Sequence, residues 1–162
     1  MAHAREEVAA AVDRYIAVRD EINAGRGTWR DLAQFFTDDA VFIDPAWGRV
    51  EGIEEMKATV FGDAMVGLED WKFPTEFYAI EGDNVLVKWR QILPGARDDG
   101  RPYEQSGVST MIYAGGGKFC YEEDLLNMVH VFEDMKASKC QVPTVAIPPK
   151  HPNRDFSRPH GR

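Results

Sequence analysis

The stretch FTDDAVFIDP, residues 36–45, decides how the first half of this chain folds. Its centre, Ala40 to Asp44, is an apolar run of strand length. Pro45 follows it, and a proline cannot continue the hydrogen-bond ladder of a strand. Residues 48–52, which begin and end with glycine, have the composition of a turn or a return strand. The stretch therefore predicts a short strand that ends at Asp44.

Helical patterns lie on both sides of this strand. Residues 5–23 place apolar side chains on one broad stripe at helical spacing, and a glycine-containing segment ends the helix. Thr28 has the character of an N-cap for a second, short helix over residues 29–36. Residues 53–61 predict a third helix after the strand.

The second half of the chain has the pattern of a β-meander. Four segments read as strands: 71–80, 84–93, 103–113 and 118–127. The short turn-forming links between them favour antiparallel pairing, and residues 129–138 are either a short helix or a final extension. Helices followed by strands indicate an α+β fold, in which a curved antiparallel sheet wraps around the N-terminal helices.

The composition changes at residue 139. Residues 139–162 contain five of the nine prolines and carry a net charge of +4 from five basic residues, including Arg162, and one acidic residue. The first 138 residues carry a formal charge of −12, and the whole chain carries −8. We therefore expect a folded domain over 1–138 and a proline-rich basic tail over 139–162. The tail is expected to wrap around its own domain or a partner subunit, with a disordered tail as the alternative.

Charge and hydropathy exclude several classes of function. An acidic chain repels phosphate backbones, so no nucleic-acid partner is expected. No apolar run approaches the length of about 18 residues that spans a bilayer, so no membrane partner is expected. Cys120 and Cys140 form neither a metal-binding pattern nor a disulfide framework, and no other side chains have metal-ligand spacing. These features are typical of a cytoplasmic protein with no metal site.

The segment Phe36 to Pro45, followed by Gly48 and by Glu51-Gly52-Ile53, resembles the signature of the nuclear transport factor 2-like superfamily. That superfamily includes SnoaL-like polyketide cyclases, ketosteroid isomerases, scytalone dehydratase and limonene epoxide hydrolase. The resemblance covers roughly residues 5–135 and implies a cone-shaped α+β barrel with a hydrophobic pocket. It defines the fold better than the reaction, because members catalyse different reactions and some catalyse none.

Two local resemblances suggest catalytic residues. Arg14-Tyr15-Ile16 is similar to the ketosteroid isomerase segment that carries an oxyanion-hole tyrosine, and Asp44 stands where that family has its general-base aspartate. Ser109 stands near the position of the second oxyanion donor, which in that family is a protonated aspartate. A serine is not a carboxylic acid, so the chain departs from the ketosteroid isomerase pattern at this position. Asp124 resembles the acid–base aspartate of limonene epoxide hydrolases and SnoaL-type cyclases.

The residues themselves allow structural alternatives to these roles. Asp44 is also suited to cap an Asp-Pro turn, and Tyr15 to be a core tyrosine. Asp124 shares a strand face with Glu122 and Leu126, so Asp124 points inward if Leu126 does. The structural alternative for Asp124 is a salt bridge to a strand neighbour such as Arg90 or Lys88. Glu122, nearer the start of the strand, is expected to face solvent.

Strand alternation and loop position suggest further pocket residues. We expect these to contact substrate: Trp47, Trp89, Gln91, Gln105, Ser109 and Met111. Core packing is the alternative for Trp89, and a mutual hydrogen bond is the alternative for Gln91 and Gln105. Gly107 leaves room for a ligand or eases strand curvature.

The resulting functional hypothesis is a cofactor-independent enzyme acting on a small apolar or polycyclic ligand. Asp44 or Asp124 would act as general base, assisted by Tyr15, in an isomerase, cyclase, dehydratase or epoxide hydrolase type of reaction. The alternative is a non-catalytic ligand-binding or dimerisation module of the same fold, in which both aspartates are paired or solvent-facing. A homodimer is expected by analogy with sheets of this type.

Overall fold

The computed structural model of the chain describes residues 2–159 and contains three α-helices and six β-strands over that range. The helices are α1 (Arg5–Asn23), α2 (Ile53–Ala58) and α3 (Met128–Ala137). The strands are β1 (Phe36–Asp44), β2 (Gly48–Glu51), β3 (Thr75–Glu81), β4 (Asn84–Ala96), β5 (Pro102–Gly115) and β6 (Lys118–Leu126). Short 3₁₀ helices cover Trp29–Phe35, Asp63–Met65 and Thr144–Ala146. The α+β class is confirmed.

One six-stranded sheet, in the order β2-β1-β6-β5-β4-β3, forms the body of the molecule. The meander from β3 to β6 is antiparallel as predicted, but β1 pairs with β6 in parallel. The all-antiparallel sheet of the sequence analysis therefore needs correction. The sheet is mixed and open, because β2 and β3 remain at opposite edges and do not pair. The segment between β1 and β6 is long enough to make the parallel crossover, which adjacent hairpins cannot.

Helix α1 buries a regular stripe against the sheet. Its buried side chains include Val8, Val12, Tyr15, Arg19 and Ile22, spaced by three or four residues. This spacing puts all five on one helix face. Four of them were expected there, and Arg19 was not.

The strands alternate as their sequences indicate. On β4, Val85, Val87, Trp89 and Gln91 are buried, and the residues between them are partly exposed. We call the face that carries these side chains the inner face of the sheet. It forms the main core with α1, and a smaller apolar cluster around Ile43 and Tyr121 lies elsewhere on the sheet.

Three predicted boundaries are wrong. The strand expected over residues 40–44 begins four residues earlier, at Phe36. The strand expected over 71–80 begins only at Thr75, because Pro74 has no N–H for the ladder, although Lys72 pairs with Ile92 as an isolated bridge. The helix expected over 53–61 ends at Ala58.

The described part of the tail packs on the domain. The Arg49 N–H on β2 donates to the Asn153 carbonyl oxygen at 2.8 Å, and the Arg49 Nη1 donates to the Ser157 carbonyl oxygen at 2.7 Å. Arg162, which contributes to the predicted tail charge, lies outside the described residues. Within residues 2–159, no helix has the length and apolar character needed to cross a membrane.

Candidate active site

A cavity of about 290 Å³ lies between the inner face of the sheet, α1, α3 and the tail. Its wall is mostly apolar and aromatic, and all four tryptophans of the chain contribute to it: Trp29, Trp47, Trp71 and Trp89. This volume is near the lower end of the range for small-molecule sites. The cavity is therefore suited to an apolar ligand of modest size.

Two carboxyl groups of β6 belong to the polar part of this wall. Glu122 and Asp124 share the inner face, and both line the cavity. The Tyr15 hydroxyl donates to Glu122 Oε1 and Oε2 at 3.1 and 3.2 Å. Ser109, directly opposite Asp124 on β5, donates from Oγ to Asp124 Oδ1 at 2.5 Å and accepts from Trp89 Nε1 at 2.9 Å. Hydrogen bonds thus connect the carboxyl pair on β6 to α1 through Tyr15 and to β5 through Ser109, and Ser109 in turn connects to β4 through Trp89.

The environment of the pair favours its protonated forms. Burial raises the pKa of Glu122, an effect opposed by the charge of Arg19 and by donated hydrogen bonds. Burial, and then the neighbouring Glu122 charge, raise the pKa of Asp124 well above its ordinary value. Because the charge of Glu122 raises the pKa of Asp124, the two carboxyl groups ionise as a coupled pair in which the first ionisation disfavours the second. Burial and the Glu122 charge also raise the pKa of Tyr15 well above its ordinary value, so its hydroxyl remains a donor.

Asp44 lies beside this pair because β1 and β6 are parallel. Ile43 pairs with Glu123, so the next residues along the two strands are Asp44 and Asp124. Asp44 Oδ1 accepts from the backbone N–H groups of Ala46 and Trp47, both at 2.7 Å. Burial raises the pKa of Asp44, and these two hydrogen bonds act in the opposite direction. Asp44 therefore caps a turn and also lines the cavity.

Arg19 places a positive charge in the same wall. Its side chain is buried, and its guanidinium carbon lies 5.8 Å from the Tyr15 ring centroid and 5.6 Å from that of Trp89. Both separations are within the range of cation–π attraction. The buried Nε has no hydrogen-bond partner in the described structure.

The predicted substrate-contacting residues divide into two groups. Trp47, Trp89 and Gln91 line the cavity, as do the predicted catalytic residues Tyr15, Asp44 and Asp124. Three others are buried and do not line it: Gln105, Ser109 and Met111. The space expected beside Gly107 is filled, because Trp89 pairs with it and its indole lies over it.

Gln91 and Gln105 form the mutual hydrogen bond that was the alternative to ligand contact. Gln91 Nε2 donates to Gln105 Oε1 at 2.8 Å, and Gln105 Nε2 donates to Asp134 Oδ2 on α3 at 2.6 Å. Arg97 donates from Nη2 to the other oxygen of Asp134 at 2.5 Å. This polar chain fastens α3 to the sheet at one side of the cavity. Among residues 2–159, no group of three or more His, Cys, Asp or Glu side chains is arranged to hold a metal ion.

Residues 5–121 match the SnoaL-like domain family. The chain belongs to that family. The matched range of the SnoaL-like domain contains Tyr15, Arg19 and Asp44, and ends immediately before the Glu122–Asp124 pair. No curated protein shows significant sequence similarity to the chain.

Solved structures show the same SnoaL-like fold. A candidate SnoaL-like polyketide cyclase from Jannaschia sp. CCS1 is 21% identical, with a TM-score of 0.64 over 85% of this chain and 98% of that one. TerC, co-crystallised with polyporic acid, is 16% identical, with a TM-score of 0.60 over 80% and 98%. A candidate ketosteroid isomerase from Kribbella flavida DSM 17836 is 16% identical, with a TM-score of 0.53 over 75% and 78%. At these identities the likeness establishes the fold.

Sequence reasoning missed two polar residues in the pocket of this SnoaL-like domain. Glu122 was expected to face solvent, but it is only 1% exposed, because β6 is an interior strand between β1 and β5 and is covered by α1. Arg19 was not expected on the buried face of α1, because the sequence analysis placed only apolar side chains on that stripe. Its position four residues after Tyr15 and three before Ile22 was the signal that could have placed it on the buried stripe.

Proposed function

We propose that this SnoaL-like domain is a cofactor-independent acid–base enzyme acting on a small, largely apolar, ring-containing substrate. One observation carries the proposal: the carboxyl pair of Glu122 and Asp124, whose ionisation burial disfavours, shares an aromatic cavity with a third carboxyl group, Asp44. Carboxyl groups in different protonation states can remove a proton at one point of a substrate and return one at another.

The geometry suggests different roles for the carboxyl groups. In the described structure, Asp44 Oδ2 accepts no hydrogen bond, so this oxygen is the proposed proton acceptor. The Glu122–Asp124 pair is the proposed proton donor, with Tyr15 holding Glu122 in place. Proton transfer of this kind serves isomerisation, aldol-type cyclisation, dehydration or epoxide opening, and the mostly apolar wall of the cavity strengthens each electrostatic interaction.

The comparisons support this proposal at the level of the family. The similar structures include a candidate polyketide cyclase, a candidate ketosteroid isomerase and a protein co-crystallised with polyporic acid. By analogy, the proposed ligand class is a ring-containing organic compound bound in the cavity of the fold.

Carboxyl titration tests the proposal directly. The pKa values of Asp44 and Asp124 would be measured by ¹³C-detected NMR, assigned through Asp44→Asn and Asp124→Asn, with and without steroid-like and polyketide-like ligands. We expect raised pKa values that shift when a ligand binds, and loss of turnover of any active ligand in the matching variant, by on the order of 10²–10⁴-fold. Ordinary pKa values with no ligand response would refute the catalytic assignment of both residues.

A non-catalytic ligand-binding module is the second candidate, and a specific observation favours it. Both aspartates are engaged, Asp44 by the backbone of its own turn and Asp124 by Ser109. In that case Asp44→Asn and Asp124→Asn should leave ligand affinity nearly unchanged, and no ligand in the panel should be converted to product.

A further inference from the structure

We infer that the natural ligand of the cavity carries a carboxylate group, and that Arg19 binds it. The inference rests on the proposed function in one respect, since it concerns the ligand of the same cavity. It adds the chemical class of the ligand: an apolar ring compound with an acidic group.

Arg19 lacks the acceptors that a buried guanidinium requires. Arg19 is 4% exposed, its buried Nε has no hydrogen-bond partner, and no ion pair among residues 2–159 involves it. A buried donor without an acceptor is costly, and a buried charge more so. Arginine is almost never fully buried unless it is paired. The missing partner is therefore expected to come from outside the chain.

Two aromatic rings hold Arg19 in place. The guanidinium carbon lies within cation–π distance of Tyr15 and Trp89, both of which also line the cavity. Rings attract a cation but accept no strong hydrogen bond, so these contacts fix the guanidinium without satisfying its N–H groups. A planar donor held in this way is ready for a planar, bidentate acceptor such as a carboxylate.

Arg19 is the positive charge that the cavity wall offers to an acidic ligand, and three carboxyl groups, Asp44, Glu122 and Asp124, line the same cavity. Arg19 is the only lysine or arginine among the described residues that line the cavity. Its charge acts on Glu122 and Asp124 through space, but neither carboxyl group approaches it within ion-pair distance in the described structure. The environment of Glu122 and Asp124 favours their neutral forms, and a neutral carboxyl group repels a ligand carboxylate less than an ionised one does. An aromatic wall with one unpaired cation thus matches an aromatic acid.

Matched acid and amide probes test this inference. Binding of benzoate, 2-naphthoate and 9-anthracenecarboxylate would be measured by calorimetry against the corresponding amides, which have nearly the same shape and no charge. We expect at least one acid to bind more tightly than its amide, on the order of tenfold to a hundredfold. Equal affinities of acid and amide, or no binding of any acid, would overturn the inference.

Substitution of Arg19 identifies the group responsible. In Arg19→Met, which keeps most of the side-chain volume, the acid-to-amide ratio should fall to about one, and Arg19→Lys should retain part of it. Arg14→Met, on the exposed side of the same helix, is the matched control and should keep the wild-type ratio. An acid preference that survives Arg19→Met unchanged would assign the binding to another group. If Arg19→Met does not fold, the acid-to-amide affinity ratios of wild type and Arg19→Lys are compared instead. A ratio that is lower in Arg19→Lys supports binding by Arg19, and an unchanged ratio contradicts it.

The outcome is separable from that of the proposed function. An acid preference lost in Arg19→Met, together with ordinary pKa values at Asp44 and Asp124, would support the inference and refute the catalysis. Raised, ligand-sensitive pKa values at Asp44 and Asp124 with no preference for acids would support the catalysis and refute the inference about Arg19.

Discussion

Tyr15 and Glu122, separated by 107 residues in the chain, are joined by a buried hydrogen bond in which one hydroxyl serves both oxygens of one carboxyl group. The contact fastens α1 to the interior strand β6 at the wall of the cavity. It satisfies the tyrosine hydroxyl and stabilises the charged form of a carboxylate that burial makes costly. The same hydrogen bond therefore holds two elements of the fold together and sets the environment of a carboxyl group in the candidate site.

Removing this hydroxyl should destabilise the protein and make Glu122 harder to ionise. Tyr15→Phe leaves the buried carboxyl group with one donor fewer, so the free energy of unfolding should fall by about 1–2 kcal/mol, measured by urea denaturation. The pKa of Glu122 should rise further, because the donated hydrogen bond that lowers it is lost. The matched control is Tyr78→Phe, which removes a solvent-exposed hydrogen bond to Asp13 and should change stability by less than about 0.5 kcal/mol. Equal effects of the two substitutions would contradict this account.

The buried carboxyl groups should make the protein less stable as the pH rises above about 4, the ordinary pKa range of carboxyl groups. The folded state keeps protons on Asp44, Glu122 and Asp124 at pH values where the unfolded chain has released them. At these three groups the folded state therefore binds more protons, and their contribution to the free energy of unfolding falls with pH until the raised pKa values are passed.

Asp124→Asn should remove part of this dependence. The amide cannot ionise, and its oxygen can still accept from Ser109. We expect the stability of the variant relative to wild type to increase between pH 4 and pH 8 by on the order of 1 kcal/mol, measured by denaturation at each pH. Asp99→Asn, at an exposed carboxyl group whose pKa is lowered by Arg101, should show no such gain. A relative stability of Asp124→Asn that is flat across this range would show that Asp124 titrates normally.

Local patterns predicted most of the elements, because each depends on near neighbours in the chain. The stripe of α1, the alternation of β4 and the hairpin turns of the meander are all short-range signals. The shared face of Asp124 and Leu126 also followed from strand alternation, and both line the cavity.

Long-range pairing was the part that the sequence did not reveal. Strand alternation does not specify which strand lies beside β6, so neither the parallel partner β1 nor the burial of Glu122 could be anticipated. The same pairing places Asp44 next to Asp124, which the sequence analysis treated as separate candidates. Arg19 was missed because only apolar side chains were assigned to the stripe of α1, although the spacing of Arg19 puts it there as well.

The close approach of Trp89 to Gly107 should make Gly107 intolerant of any side chain. A Cβ at this position would lie 2.4 Å from atoms of the Trp89 indole ring. Gly107→Ala should therefore displace the indole, weaken its hydrogen bond to Ser109 and lower the free energy of unfolding by about 1–3 kcal/mol. Near-ultraviolet circular dichroism would report the displaced indole, and urea denaturation would give the loss in the free energy of unfolding.

A double-mutant cycle isolates the clash in this pair. In a Trp89→Leu background the indole is absent, so Gly107→Ala should cost less than about 1 kcal/mol. An equal cost in both backgrounds would mean that the backbone, and not Trp89, requires glycine at position 107.

Docking of the tail on β2 should depend on Gly48. A Cβ at Gly48 would lie 2.4 Å from the Asn153 carbonyl oxygen, the atom that accepts from the Arg49 N–H. Gly48→Ala should release this part of the tail, so the Arg49 amide should exchange with solvent faster and trypsin should cleave after Lys150 more rapidly.

Gly100→Ala is the matched control for this experiment. Gly48 and Gly100 have φ values of +78° and +82°, so an alanine is strained to a similar degree at either position, by about 1–2 kcal/mol. A Cβ at Gly100 would meet nothing within 4 Å, so the strain occurs there without a contact to the tail. Gly100→Ala should leave the exchange of the Arg49 amide and the cleavage after Lys150 at wild-type rates. If both variants accelerate cleavage equally, backbone strain and not the contact with Asn153 controls the tail.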